Sequence, residues 1–189
     1  MTSIDTEKKY FVEKCKFAKN GIKIVTGRND RFYKTNNLIK RWKIKKAWRE
    51  KVQNLLSNYD TERTKEQFLE DVSLLHEEMN RSFKGEFYRG DFSYYEALMS
   101  LSAALKYKWC SDNSCTKPPL CPINSDVRRI LKKEWGALPN RDITKDIIDE
   151  IYECIIERDK ELDVAIQGIS IAEWELCIYN DILRKQHEN

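Results

Sequence analysis

The sequence predicts an all-α protein: a single irregular helical domain of five to seven helices, with one short extended segment near residues 22–25. Three observations carry this. Six glycines and four prolines among 189 residues are too few for a β-sandwich, in which a turn recurs about every ten residues. Apolar residues return at helical spacing along most of the chain. Only Ile22-Lys23-Ile24-Val25 alternates as a strand does, between an Asn20-Gly21 turn and Thr26-Gly27. Apolar residues make up 41% of the chain, with five Trp, nine Tyr and seven Phe, which supplies a core and excludes a disordered polymer.

Taken in order, residues 5–19 are expected to form a first helix carrying Tyr10, Phe11 and Phe17. A second runs from Asn37 to the Ser57-Asn58 turn, with Leu38, Trp42, Ala47/Trp48, Val52, Leu55 and Leu56 as its apolar stripe. The third is the clearest: Thr64 stands as N-cap, and Phe68, Val72, Leu75, Met79 and Phe83 share one face. Gly85 and Gly90 bracket a loop. Ser93, with Glu96 three residues on, opens a fourth helix that buries Leu98, Leu101, Leu105 and Trp109. Pro118, Pro119 and Pro122 then stop helix formation and leave residues 110–124 as an ordered irregular connection.

Ser125 is expected to cap a short helix with Val127, Ile130, Leu131 and Trp135 inward, ended by Gly136 and Pro139. Asp142 or Thr144 opens the next, which carries Ile147, Ile148, Ile151, Tyr152 and Ile155 and stops at Gly168. Ser170 and Glu173 form a second capping box ahead of Trp174, Cys177, Ile178 and Ile182, and the chain frays from Arg184. The organisation expected is an N-terminal segment over 1–36, appended as a lobe, a helical domain over 37–184, and a polar tail over 185–189. There is no internal repeat.

Charge is unevenly placed. Residues 28–51 hold ten basic and two acidic residues, a local charge of +8, while 134–189 hold fourteen acids and six bases, a local −8. A basic run interleaved with Trp42 and Trp48 can follow a phosphate backbone while its rings stack on bases. It can equally meet an acidic protein, or the acidic block of a second copy. The expected contact residues are Lys40, Arg41, Lys43, Lys45, Lys46 and Arg49. Trp42 and Trp48 are six residues apart, so they do not share one narrow helical face, and one of them is expected at the periphery.

No apolar run approaches the roughly 20 residues that cross a bilayer, so no membrane role is expected. The opening MTSIDTEKKYFVEK has no apolar signal region. That, with six cysteines at 15, 110, 115, 121, 154 and 177, points to a cytoplasmic protein with free thiols. Cys110, Cys115 and Cys121 lack the close pairs of a structural zinc site, and no cofactor or metal is expected. His76 and His187 are the only histidines, with no nucleophile nominated beside them. The acid pairs Asp146/Glu150 and Asp149/Glu153 read as solvated helix faces. Phosphate-loop, dinucleotide, zinc-protease and serine-hydrolase motifs are missing from the sequence.

Lys106-Tyr107-Lys108-Trp109-Cys110, Pro118-Pro119-Leu120-Cys121-Pro122-Ile123 and the later Ser170-Ile171-Ala172-Glu173-Trp174-Glu175 resemble stretches of a family of small helical bacterial proteins of uncharacterised function. The likeness spans residues 93–131 and 169–180 and leaves the basic block outside it. Where that pattern often has an acid after the Cys-Pro-Ile triplet, this chain has Asn124. The resemblance implies a helical cytoplasmic protein with a structured 106–123 segment, and no activity. The readings are therefore, in order, a non-catalytic nucleic-acid-associated protein using the basic helix, a protein-interaction module acting as adaptor or inhibitor, and a metal-dependent enzyme acting on nucleic acid.

Overall fold

The computed structural model describes residues 3–15, 32–88, 90–112, 115–139, 143–163 and 170–187. Among them the chain forms eight α-helices and no strand: α1 (Ile4–Lys14), α2 (Leu38–Leu56), α3 (Lys65–Phe83), α4 (Tyr94–Ser111), α5 (Ser125–Leu131), α6 (Lys133–Ala137), α7 (Lys145–Asp163) and α8 (Ile171–His187). One 3₁₀ turn, Ser57–Asp60, follows α2. The all-α expectation holds, and the count exceeds five to seven because residues 125–137 fold as two helices. The extended segment expected at 22–25, Phe17, and the ends at Asp142 and Gly168 lie outside the described residues.

Local signals explain most helix starts. Thr64 accepts from the Gln67 backbone N–H at 3.3 Å while the Gln67 side chain accepts from the Thr64 N–H at 3.0 Å, the reciprocal capping box. Ser93 caps α4 through the Glu96 N–H at 3.1 Å. Ser170 donates its N–H and hydroxyl to Glu173 at 2.7 and 2.8 Å ahead of α8. At α5 the cap is Asn124, not Ser125: its Oδ1 accepts from the N–H groups of Asp126 and Val127, both at 2.9 Å, which puts Ser125 inside the first turn.

α4 is the central element. It is buried nearly all round, including Ser100, Ser102 and Lys106, and it packs against α1, α2, α3 and α7. α3 turns Phe68, Val72, Leu75 and Met79 into the core, where each side chain stabilises by about 2 kcal/mol. Trp48 of α2 anchors an aromatic cluster with Phe32, Phe87 and Phe92 and donates its indole N–H to Ser100 Oγ at 3.1 Å. The 84–93 loop is held there by Asn80, whose side-chain amide both donates to and accepts from the Phe92 backbone. Gly85 and Gly90 have φ of 75° and 97°, a region that a side chain would strain.

Several sequence expectations are corrected here. The buried face of α2 is Arg41, Ile44, Trp48, Val52 and Leu55, and Leu38 and Trp42 point outward. Ile130 is exposed. The helix expected over 125–135 breaks at Lys132, whose backbone is extended, and buried Arg128 reaches forward across the break to donate to the carbonyls of Trp135 and Leu138 at 3.0 and 2.9 Å. Gly136 closes that corner: a Cβ there would lie 2.6 Å from Arg129 Cβ. In α8 the buried set is Ala172, Glu175, Leu176 and Asn180, and Trp174, Cys177 and Ile178 are partly covered. The tail does not fray at Arg184. It stays helical to His187 because Arg184 clamps Glu7 of α1 with both carboxylate oxygens at 2.8 Å.

The proline segment is fastened from outside. The Tyr95 hydroxyl donates to the Ile123 carbonyl at 3.0 Å and the Tyr152 hydroxyl to the Cys121 carbonyl at 2.9 Å. Thr116 donates from its N–H and hydroxyl to the Tyr59 carbonyl. Leu120, Cys121 and Ile123 are buried beneath it.

Candidate functional site

Two places combine charge with cavity or exposure. The first is the amino-terminal half of α2. Leu38, Ile39 and Trp42 are 75%, 69% and 57% exposed, and their i, i+3 and i+4 spacing puts them on one face. Beside them runs a groove of about 500 Å³ between α2 and the end of α3, lined by Ile39, Lys40, Lys43, Phe83, Lys84 and Glu86 among others.

The six expected contact residues part company. Arg41 is buried, and its guanidinium donates to the Thr35 carbonyl at 2.6 Å and to Asn36 Oδ1 at 3.0 Å, so it holds the chain entering α2. Lys40 pairs with Glu86 at 2.6 Å while half-exposed. Lys45 lies over the Tyr33 ring at 5.4 Å. Lys46 lies over Trp42 at 5.3 Å and 3.8 Å from Glu50. Arg49 is half-buried and opposes the burial that pushes the Tyr33 hydroxyl up. Lys43 is exposed on the groove wall. The carboxylates recorded against the lysines of α2, Glu50, Glu78 and Glu86, come from the first half of the chain and not from the acidic last third.

The second place is the junction of α1, α4 and α8. Lys106 Nζ donates to Glu175 Oε2 at 2.7 Å, with the two side chains 6% and 1% exposed. The ammonium also sits over the rings of Phe11 and Tyr179, 4.6 and 4.3 Å from their centroids. Glu175 Oε1 is buried and accepts no hydrogen bond from the protein. Burial pushes the Glu175 carboxyl up, against the opposing pull of Lys106. The thiols nearby are pushed up by burial too, Cys110 to about 12, which keeps them from the thiolate form that attacks electrophiles. A cavity of about 140 Å³ opens beside the pair.

The sequence reading missed this junction. One signal pointed to it: a helix buried on every side, as α4 is, can carry a lysine only if a partner neutralises it. Arg128 is buried away from this junction, its guanidinium on the carbonyls of Trp135 and Leu138. The three cysteines of the loop region do not converge: Cys115 turns to the Tyr59 carbonyl, and Cys121 is fully enclosed. Among the described residues no three His, Cys, Asp or Glu side chains gather as a metal site would need, and no helix is long and apolar enough to cross a membrane. No family model, curated protein or solved structure matches the chain.

Proposed function

We propose that the chain is a protein-interaction module whose α2 face holds an acidic segment of a partner polypeptide. The observation that carries this is the exposure of Leu38, Ile39 and Trp42 within five residues of a helix that has Lys40, Lys43 and Lys46 among them. Such an apolar patch with a charged rim fits a protein interface, and an exposed tryptophan is the side chain that most often anchors one. The groove alongside supports an acidic occupant, because Lys40, Lys43 and Lys84 line it against the single carboxylate of Glu86.

Nucleic-acid contact is the second reading, favoured by the Lys46 ammonium over the exposed Trp42 ring, since exposed aromatics beside cations stack on bases. It ranks lower because phosphate affinity grows with the number of cations that reach phosphates. Arg41 is inside the fold, and Lys40 and Lys46 already have carboxylates beside them.

One experiment separates the two. A photo-reactive benzoylphenylalanine replaces Trp42 in cells that produce the chain, and adducts are mapped by mass spectrometry. Cross-links to an Asp/Glu-rich peptide that survive nuclease and vanish with Lys43→Glu plus Lys84→Glu support the reading. Nuclease-sensitive adducts replace it with the second. A cross-link into residues 134–189 of another copy makes the occupant the chain itself and ends the hetero-partner version. No adduct, or one indifferent to charge reversal, overturns docking at this face.

A further inference from the structure

The cavity at the α1–α4–α8 junction is independent of the α2 face and has the features of a small-molecule site. Its walls are mostly apolar: Phe11 from α1, Met99 and Tyr107 from α4, Pro122 from the loop and Tyr179 from α8. Its polar end is the Glu175–Lys106 pair, and there one oxygen is committed and the other is not. A buried acceptor without a donor is costly, so the site favours a molecule that brings one.

Part of the remaining polar lining is already engaged. Asn124 Oδ1 accepts two backbone N–H groups as the cap of α5. The volume, about 140 Å³, matches the roughly 150 Å³ that admits a benzene ring. Charge narrows the class further. A cation placed there would lie against the Lys106 ammonium and an anion against the Glu175 carboxylate, each costly at low dielectric.

We propose that this cavity binds a small neutral aromatic molecule carrying one hydroxyl or N–H donor, with the donor on Glu175 Oε1 and the ring among Phe11, Tyr107 and Tyr179. Because the walls come from three helices and the proline segment, an occupant ties the amino-terminal helix to the end of the chain. The ligand stabilises the folded state by mass action.

Phenol, toluene and benzoate serve as probes of the full chain, followed by NMR shift changes and thermal melting. Phenol is expected to bind saturably with a dissociation constant on the order of 1 mM, as its few heavy atoms allow, and to raise the melting temperature. Toluene, the same shape without the donor, is expected to bind about tenfold more weakly, and benzoate not to bind. Ala103→Leu, which fills the cavity wall, abolishes the phenol shifts while preserving helical content. The proposal is overturned if phenol shows no saturable shift up to roughly 20 mM, if toluene equals phenol, or if the Ala103→Leu protein binds phenol undiminished. The phenol–toluene comparison needs no variant, so it decides the matter even if that substitution unfolds the chain.

Discussion

Lys106 and Lys43 are the same residue type on neighbouring helices of the core, with opposite surroundings. Lys106 is enclosed by two aromatic rings and bonded to Glu175 at 2.7 Å. Lys43 stands in solvent on the wall of an open groove, one residue from an exposed tryptophan. The junction spends its charge internally, where desolvation makes each partner indispensable. The α2 face leaves its charge outside, where solvent makes each ion pair nearly worthless to folding and leaves it available to another molecule. The contrast separates residues that build the protein from residues free to serve its surface.

Several measurements break or sharpen that contrast, and the largest effect belongs to the junction. Lys106→Met strands the Glu175 carboxylate and is expected to destabilise by about 3–5 kcal/mol in urea unfolding. A loss below about 1 kcal/mol means the pair is not closed to water. The two tryptophans of α2 come next. Trp48→Ala should cost about 3–5 kcal/mol for the cavity it leaves, and Trp42→Ala within about 0.5 kcal/mol. Equal losses would place Trp42 in the core.

Arg184→Ala removes the clamp on buried Glu7. About 2 kcal/mol is expected, less than for Lys106 because Arg184 is itself one-third exposed.

Carboxyl titration by NMR sharpens the comparison within a single turn of α8. Burial raises Glu175. At Glu173 burial also acts upward, but the Ser170 N–H and hydroxyl and Lys117 outweigh it and hold the group below the usual range. The signs then oppose. Glu173 contributes stability that is present above its unfolded value of about 4.3 and is lost as pH falls through its lower folded value. Glu175 contributes stability that is complete below about 4.3 and is lost as pH rises through its raised folded value. Titration of both near the ordinary value would remove the junction's special character. The smallest effect is at the surface: Lys46→Ala, which breaks a 3.8 Å exposed pair with Glu50, should change stability by less than about 0.5 kcal/mol.

Much of the architecture was readable because helix signals are local. Thr64, Ser93 and Ser170 mark starts through side chains that bond three residues on, and the α3 stripe needs only its own spacing. Where the reading failed, the deciding partner was distant in sequence. Leu38 and Trp42 fit a helical stripe, but what covers a stripe is a neighbouring helix, and among the described residues none lies over these two side chains. Arg41 read as a surface cation because its acceptors, Thr35 and Asn36, belong to a segment whose path depends on the Phe32–Trp48 stack. Glu175 and Arg184 looked like ordinary helix acids and bases, since their partners stand 69 and 177 residues away. The aromatic and basic character of the α2 face was legible, and the division of its cations between inside and outside was not.

The two tyrosine hydroxyls on the carbonyls of Cys121 and Ile123 have a consequence for how the chain comes apart. They reach the irregular stretch from α4 on one side and α7 on the other, 28 and 31 residues distant. Each bond forms only once its own helix has docked, so the stretch, which has no secondary structure of its own, is latched from both sides. A protease that cuts between Cys115 and Ile123 is therefore expected to report the release of this stretch from α4 and α7.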